Sequence, residues 1–179
     1  MLSAHARCEV YSYKEGLLSR LAHDLHWVAD DVRLTLAEDR SQLELHLDPS
    51  RLRVLAAVED GVDRPTVLSA GDRDKIHHTL VHEVLDVARF PTIHFRSRHI
   101  AATPRGYRVD GELTLHGATR ALTVEVLREH QDSTGERLTA RVVIHQPDYG
   151  IKPFSAALGA LKVKADVVVQ VTVELVGGA

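Results

Sequence analysis

The chain has 179 residues and a formal net charge of −3, from 22 Lys plus Arg against 25 Asp plus Glu. With 44% hydrophobic and 26% charged residues it has the make-up of one globular domain over 1–179, which excludes disordered and fibrous classes. The charge balance and the lack of a Lys/Arg run exclude a broadly basic nucleic-acid surface.

The single cysteine, Cys8, rules out an internal disulfide and a cysteine-rich zinc module. No stretch approaches the ~20 apolar residues of a membrane helix. The N-terminus reads MLSAHARCEVYSY, where His5, Arg7 and Glu9 break up the apolar run of about 7–15 residues that a secretory signal needs. A cytoplasmic protein is therefore expected, with Cys8 in a mobile N-terminal segment.

Period-two alternation dominates the rest of the chain, as in strands with one buried face. Residues 9–13 and 25–36 carry weak strand signals; residues 43–47 alternate Leu-Glu-Leu-His-Leu until Asp48 and Pro49 interrupt. Leu52, Val54, Ala56 and Val58 then fall on one face, with Arg51 and Arg53 on the other. Between Gly71 and Phe90 the pattern changes: Ile76, Leu80, Val84 and Val87 recur at helical spacing, with Asp72 or Asp74 available as cap and Pro91 as terminator. One α-helix is predicted near residues 72–88.

Strand patterning resumes weakly at 93–100, then clearly with Tyr107, Val109, Leu113 and Leu115 and with Leu122, Val124 and Val126; 138–145 is weaker again. Polar turns are expected at 103–106 and 132–135. The last segment, 161–175, alternates Leu161, Val163, Ala165 and Val167 onward with polar neighbours, broken only by Val168. As one strand at about 3.3 Å per residue it would run roughly 50 Å, and a strand that long must bend, as in a barrel. About eight strands with short connections predict a mainly β fold, an elongated antiparallel β-barrel with one helix.

The 12 histidines raise the question of a metal. His78 and His82 lie one turn apart beside His77, yet no Glu follows to make a zincin motif, and a solvated helix shoulder is the expectation. His23, Asp24 and His26 are expected in a buried hydrogen-bond network, and His46, His94 and His145 on the water-facing side with no role. No nucleophile elbow, phosphate loop or dinucleotide fingerprint is present, so neither catalysis nor a cofactor is expected. About eight strands can enclose either a filled core or a small apolar ligand, and periodicity leaves both open.

Specific motifs narrow this. The run 89–97 (RFPTIHFRS), the run 111–120 (GELTLHGATR), Arg73-Asp74 before the helix and 148–151 (DYGI) resemble, in order and spacing, the motifs of the YceI-like family of bacterial polyisoprenoid-binding proteins. The resemblance extends over about 11–175; the family's early glycine and phenylalanine are missing from 23–31. It implies a lipocalin-like barrel that holds an isoprenoid or fatty-acyl amphiphile in an apolar tunnel, without enzyme activity, and a structural turn at Leu115-His116-Gly117.

Strand phase nominates Trp27, Leu45, Val54, Phe95, Tyr107, Leu113, Leu115, Val124, Val163 and Val167 as lining residues. Two rival readings remain: a packed barrel serving as a structural or interaction module, such as a homodimer, and a histidine metal site built from His77, His78 and His82 or from His23 and His26.

Overall fold

The computed structural model describes residues 4–16, 22–132 and 135–176. The first strands are β1 (Ala4–Ser12), β2 (Lys14–Glu15), β3 (Asp24–Leu36), β4 (Leu43–Leu47), β5 (Arg53–Glu59) and β6 (Val62–Arg64). The helix α1 (Ala70–Thr79) follows, then β7 (Ile93–Thr103), β8 (Gly106–Leu115), β9 (Ala118–Gln131) and β10 (Gly135–His145). The chain ends on β11 (Ser155–Ala156), β12 (Leu161–Val163) and β13 (Asp166–Val176).

Eight strands close a ring in the order β1-β13-β10-β9-β8-β7-β4-β3, and β3 returns to β1. Every pairing is antiparallel, as the short connections require. Strands β5 and β6 extend from β3, while β2, β12 and β11 form a separate three-stranded sheet. No helix among the described residues is long and apolar enough to cross a membrane.

Bulges explain why alternation is weak where it is weak. Between the pairs Cys8↔Ala29 and Ala6↔Val32, β3 spends one residue more than β1, so its inward phase moves from Leu25 and Trp27 to Val32, Leu34 and Leu36. A second shift between Ser97 and His99 turns Ile100, rather than an odd-numbered residue, toward the interior alongside Ile93 and Phe95.

The predicted terminal strand is in fact two strands. Backbone around Lys164 and Ala165 leaves the ladder: Lys164 N–H donates to the Tyr13 carbonyl, and the Ala165 carbonyl accepts from Gln146 N–H, both at 2.8–2.9 Å. The segment changes partners there, from β2 and β11 on one side of the break to β10 and β1 on the other. Alternation survives the break because both halves face the same interior.

The one helix expected near 72–88 is present, with its ends shifted toward the N-terminus. It begins at Ala70, capped by Ser69, whose hydroxyl accepts from Asp72 N–H while the Asp72 carboxylate accepts from Ser69 N–H, a reciprocal capping box. Leu80–Val84 widens into a π turn, and Asp86 adopts left-handed backbone at φ 43°. The helical run therefore ends before Leu85, which turns into the core beside Ile144, Tyr149 and Ile151, and Pro91 terminates nothing. No residue of α1 is buried. Ile76 packs half-buried against the core, and tertiary bonds add to it: the Arg73 guanidinium donates to the carbonyls of Val54 (2.9 Å), Leu55 (2.6 Å) and Pro65.

Candidate functional site

The inner faces of the ring do not meet. They enclose a cavity of about 760 Å³, within the ~300–1,000 Å³ of small-molecule sites. Its walls are aliphatic, with Leu34, Leu122, Val142, Val169, Val171 and Val173 among them. Alternation accounts for the aliphatic lining, because ring strands send alternate side chains inward and these are mostly Val and Leu; that the faces stay apart is what periodicity leaves open.

Of the nominated residues, Trp27, Leu45, Phe95, Tyr107, Leu113, Leu115, Val124, Val163 and Val167 all line the cavity. Val54 does not, which corrects the strand-phase expectation. It stands opposite Trp27 with the right phase, but packs into the core cluster with Leu52 and Leu85 and is 5% exposed. The Trp27 indole N–H is satisfied inside the barrel by the buried Ser12 hydroxyl at 3.0 Å.

Cys8 also departs from its expected place. It is not mobile but buried in β1, and it lines the cavity. Burial, aided by the nearby Glu9 carboxylate, pushes its thiol up from 9.0 to about 12. The folded state thus keeps the proton that the unfolded chain releases, so stability should fall by up to about 1.4 kcal/mol per pH unit as pH rises from 9 toward 12. Urea unfolding across that range should show the slope. Cys8→Ala should remove the part that sets in from pH 9, leaving the part above 10 that the half-buried Tyr11 and buried Tyr149 phenols contribute in the same direction.

The two ends of the cavity differ. At the end where β3 gives way to β4 and β7 to β8, the polar turn expected at 132–135 lies partly outside the described residues. Glu136, near the start of β10 at that end, continues the inward phase of Leu138 and Ala140 and its side chain is 4% exposed. Arg40 reaches it at 2.8 Å and Arg128 at 2.5 Å; both guanidiniums also donate to the Tyr107 hydroxyl, Arg128 at 3.2 Å. Burial opposes ionisation of Glu136, but the hydrogen bonds from Arg128 and Arg40 outweigh it and hold the carboxyl below its usual range. This network seals that end above Leu36, Leu138 and Leu175.

The other end carries α1 and the β2-β12-β11 sheet. There Ile76 and Leu80 extend the apolar wall, while Lys14, Lys75, Lys162 and His23 supply polar groups. Strand phase cannot reach these residues, because they come from the helix and short strands. Glu136, in contrast, left a readable signal: a charge at an inward-phase position of β10.

The motif residues are structural. His116 and Gly117, at φ 50° and 75°, form the two-residue turn joining β8 to β9, as a type I′ hairpin requires. A Cβ on Gly117 would lie 2.5 Å from the Phe90 ring, which packs against His116 at 4.3 Å between centroids. Gly111, in mid-strand, similarly gives up its side chain to the Phe95 ring, which would stand only 2.6 Å from a Cβ placed there.

The nominated histidines do not assemble into a metal centre. His77 bonds the Ser50 carbonyl at 3.0 Å, and the His78 ring packs at a tilt of 44° against His82, 4.3 Å between centroids. His23 lies 4.0 Å from Glu59. His26 is buried between Asp63 (2.8 Å) and Glu9 (3.1 Å), the hydrogen-bonded network expected of it. His145 is exposed and bonds Asp166 at 2.6 Å.

An eight-stranded antiparallel ring with an aliphatic hollow between two polar ends defines an internal-cavity barrel of the lipocalin type. The YceI-like domain family model matches residues 26–175, and the chain belongs to that family. No curated protein matches the sequence. Among solved structures, a polyisoprenoid binding domain from Saccharophagus degradans, implicated in plant cell wall breakdown, is similar at TM-score 0.66 and 11% identity, covering 99% of this chain and 100% of that one. Burkholderia cenocepacia BcnA matches at 0.63 and 15% identity, covering 97% and 96%. The Campylobacter jejuni YCEI protein matches at 0.60 and 10%, covering 86% and 85%. At these identities the likeness shows the fold.

Proposed function

We propose that the protein binds one amphiphilic lipid, with an isoprenoid or fatty-acyl tail in the cavity and a polar head at the α1 end, and so carries or sequesters it. The observation that supports this most is the 760 Å³ hollow with aliphatic walls running between the two ends of the ring. Each methylene taken out of water contributes about 0.8 kcal/mol, so a long chain gains steadily with length. Lys14, Lys75 and Lys162 at the α1 end give a head group hydrogen-bond donors where solvent also reaches. Membership of the YceI-like family and the likeness to a polyisoprenoid binding domain support the same class of ligand.

The reading is of binding, not chemistry. The groups facing the cavity are overwhelmingly aliphatic, and its thiol is held protonated. Native mass spectrometry of the protein after gentle purification is expected to show one additional mass of a long-chain lipid per chain. Protein at its bare mass that also fails to take up farnesyl-, octaprenyl- or oleoyl-chain probes would overturn the proposal.

A further inference from the structure

The outer wall of the barrel carries a second arrangement that the cavity does not use. Strands β4 and β7 pair with Leu45 opposite Phe95 and His46 opposite His94. The first pair faces the cavity, so the second, one residue along, faces outward. Glu44 lies on that same outer face, two residues before His46, opposite Arg96.

The three side chains converge. Glu44 Oε2 is 3.7 Å from His46 Nε2 and 4.0 Å from His94 Nε2, and the two imidazoles stack with centroids 4.1 Å apart. Among the described residues this is the group of three or more His, Cys, Asp or Glu ligand atoms that lie within 4.8 Å of one another. His94 Nε2 is buried and has no hydrogen-bond partner, in contrast to the satisfied rings of His26, His77 and His145. A buried imidazole nitrogen without a partner is costly, and a ligand would satisfy it. Glu44 is already oriented: Arg96 Nε sits 3.4 Å from Oε1, leaving Oε2 toward the two rings.

We propose that Glu44, His46 and His94 bind a divalent transition-metal ion, with Zn²⁺ the best fit. Two imidazoles and one carboxylate are a common zinc donor set, and ligand atoms around a tetrahedral centre with bonds near 2.0–2.1 Å stand about 3.3 Å apart. The carboxylate oxygen stands 3.7 and 4.0 Å from the two nitrogens and all three ligand atoms lie within 4.8 Å, so binding needs them to close by up to about an ångström and the stacked rings to tilt until their in-plane lone pairs converge on one point. Side-chain exposures of 42% at His46 and 41% at Glu44 leave the site open from solvent, with the fourth position for water. Arg33, opposite His46 on β3, and Arg96 are cations beside the site, which weakens the attraction for a divalent ion. Bound there, the ion would staple β4, at five residues the shortest strand of the ring, to β7 behind the cavity wall.

The test is titration of the dialysed full chain with ZnCl₂ against a chromophoric chelator, with Co²⁺ absorption as a second reading of coordination. One ion per chain is expected. His46→Ala and His94→Ala should each weaken binding at least tenfold, and His78→Ala, on the helix, should leave it unchanged. At a hundredfold excess over Kd, Zn²⁺ should raise the unfolding midpoint by about 5–10 °C in the natural sequence and not in the double variant that combines His46→Ala with His94→Ala. Absence of saturable binding below 100 µM would overturn the proposal. So would unaltered binding in the double variant, which would assign the ion to other surface groups.

Discussion

A Val124→Trp protein is expected to keep its fold and lose its lipid. Val124 faces the cavity from β9, opposite Val109 of β8. An indole there grows into empty space rather than into packed neighbours, so the usual overpacking cost of about 1–3 kcal/mol is largely absent. It does, however, occupy room that a tail would need. Excluding about four methylenes forfeits roughly 3 kcal/mol, a loss of about a hundredfold in affinity. Displacement of a fluorescent long-chain probe measures this directly. Val143→Trp is the matched control, because Val143 is 57% exposed on the outer face of β10. Equal affinity in the two variants would mean that the probe binds outside the ring.

The barrel was legible because its wall obeys one rule, alternation, and the rule failed where the chain itself departs from a regular strand. Residues 25–36 and 93–100 look weak in sequence because bulges after Ala29 and Ser97 switch the inward phase in mid-strand. The last segment looks like a single strand because Lys164 and Ala165 change hydrogen-bond partners without changing which side faces in. Val54 shows the limit of phase as a guide: it identifies an inward residue but not whether that residue meets the hollow or, as here, is buried in the packed core.

What alternation cannot encode is how the two ends are finished. The capping box at Ser69, the π turn after Thr79 and the three bonds from Arg73 are local or tertiary devices that a pattern of apolar residues does not report. The outer histidine pair is hidden for a different reason. His46 and His94 are far apart in sequence and each alternates with apolar neighbours, so each alone reads as solvent-facing; only the β4–β7 register sets one against the other.

Replacing Glu136 should be the most destabilising single change at the sealed end. Its carboxylate bonds both Arg40 and Arg128, which also meet at the Tyr107 hydroxyl. Removing one member of a buried charge network leaves the others uncompensated, which costs about 3–5 kcal/mol when all are buried. Here the arginines are 37% and 29% exposed, so water takes up part of the loss and about 3 kcal/mol is expected for Glu136→Ala. Glu136→Gln keeps the shape and should cost less. Acid titration separates charge from packing. Because the folded carboxyl lies below its ordinary value of 4.5, its contribution is complete above that pH and drains away as pH falls through the folded value. Urea unfolding should therefore show a steeper acid limb for the natural sequence than for Glu136→Gln, the two curves converging at low pH. Parallel curves would mean that Glu136 contributes by packing alone, and that the closed end of the cavity is held by Leu36, Leu138 and Leu175 rather than by its ion pairs.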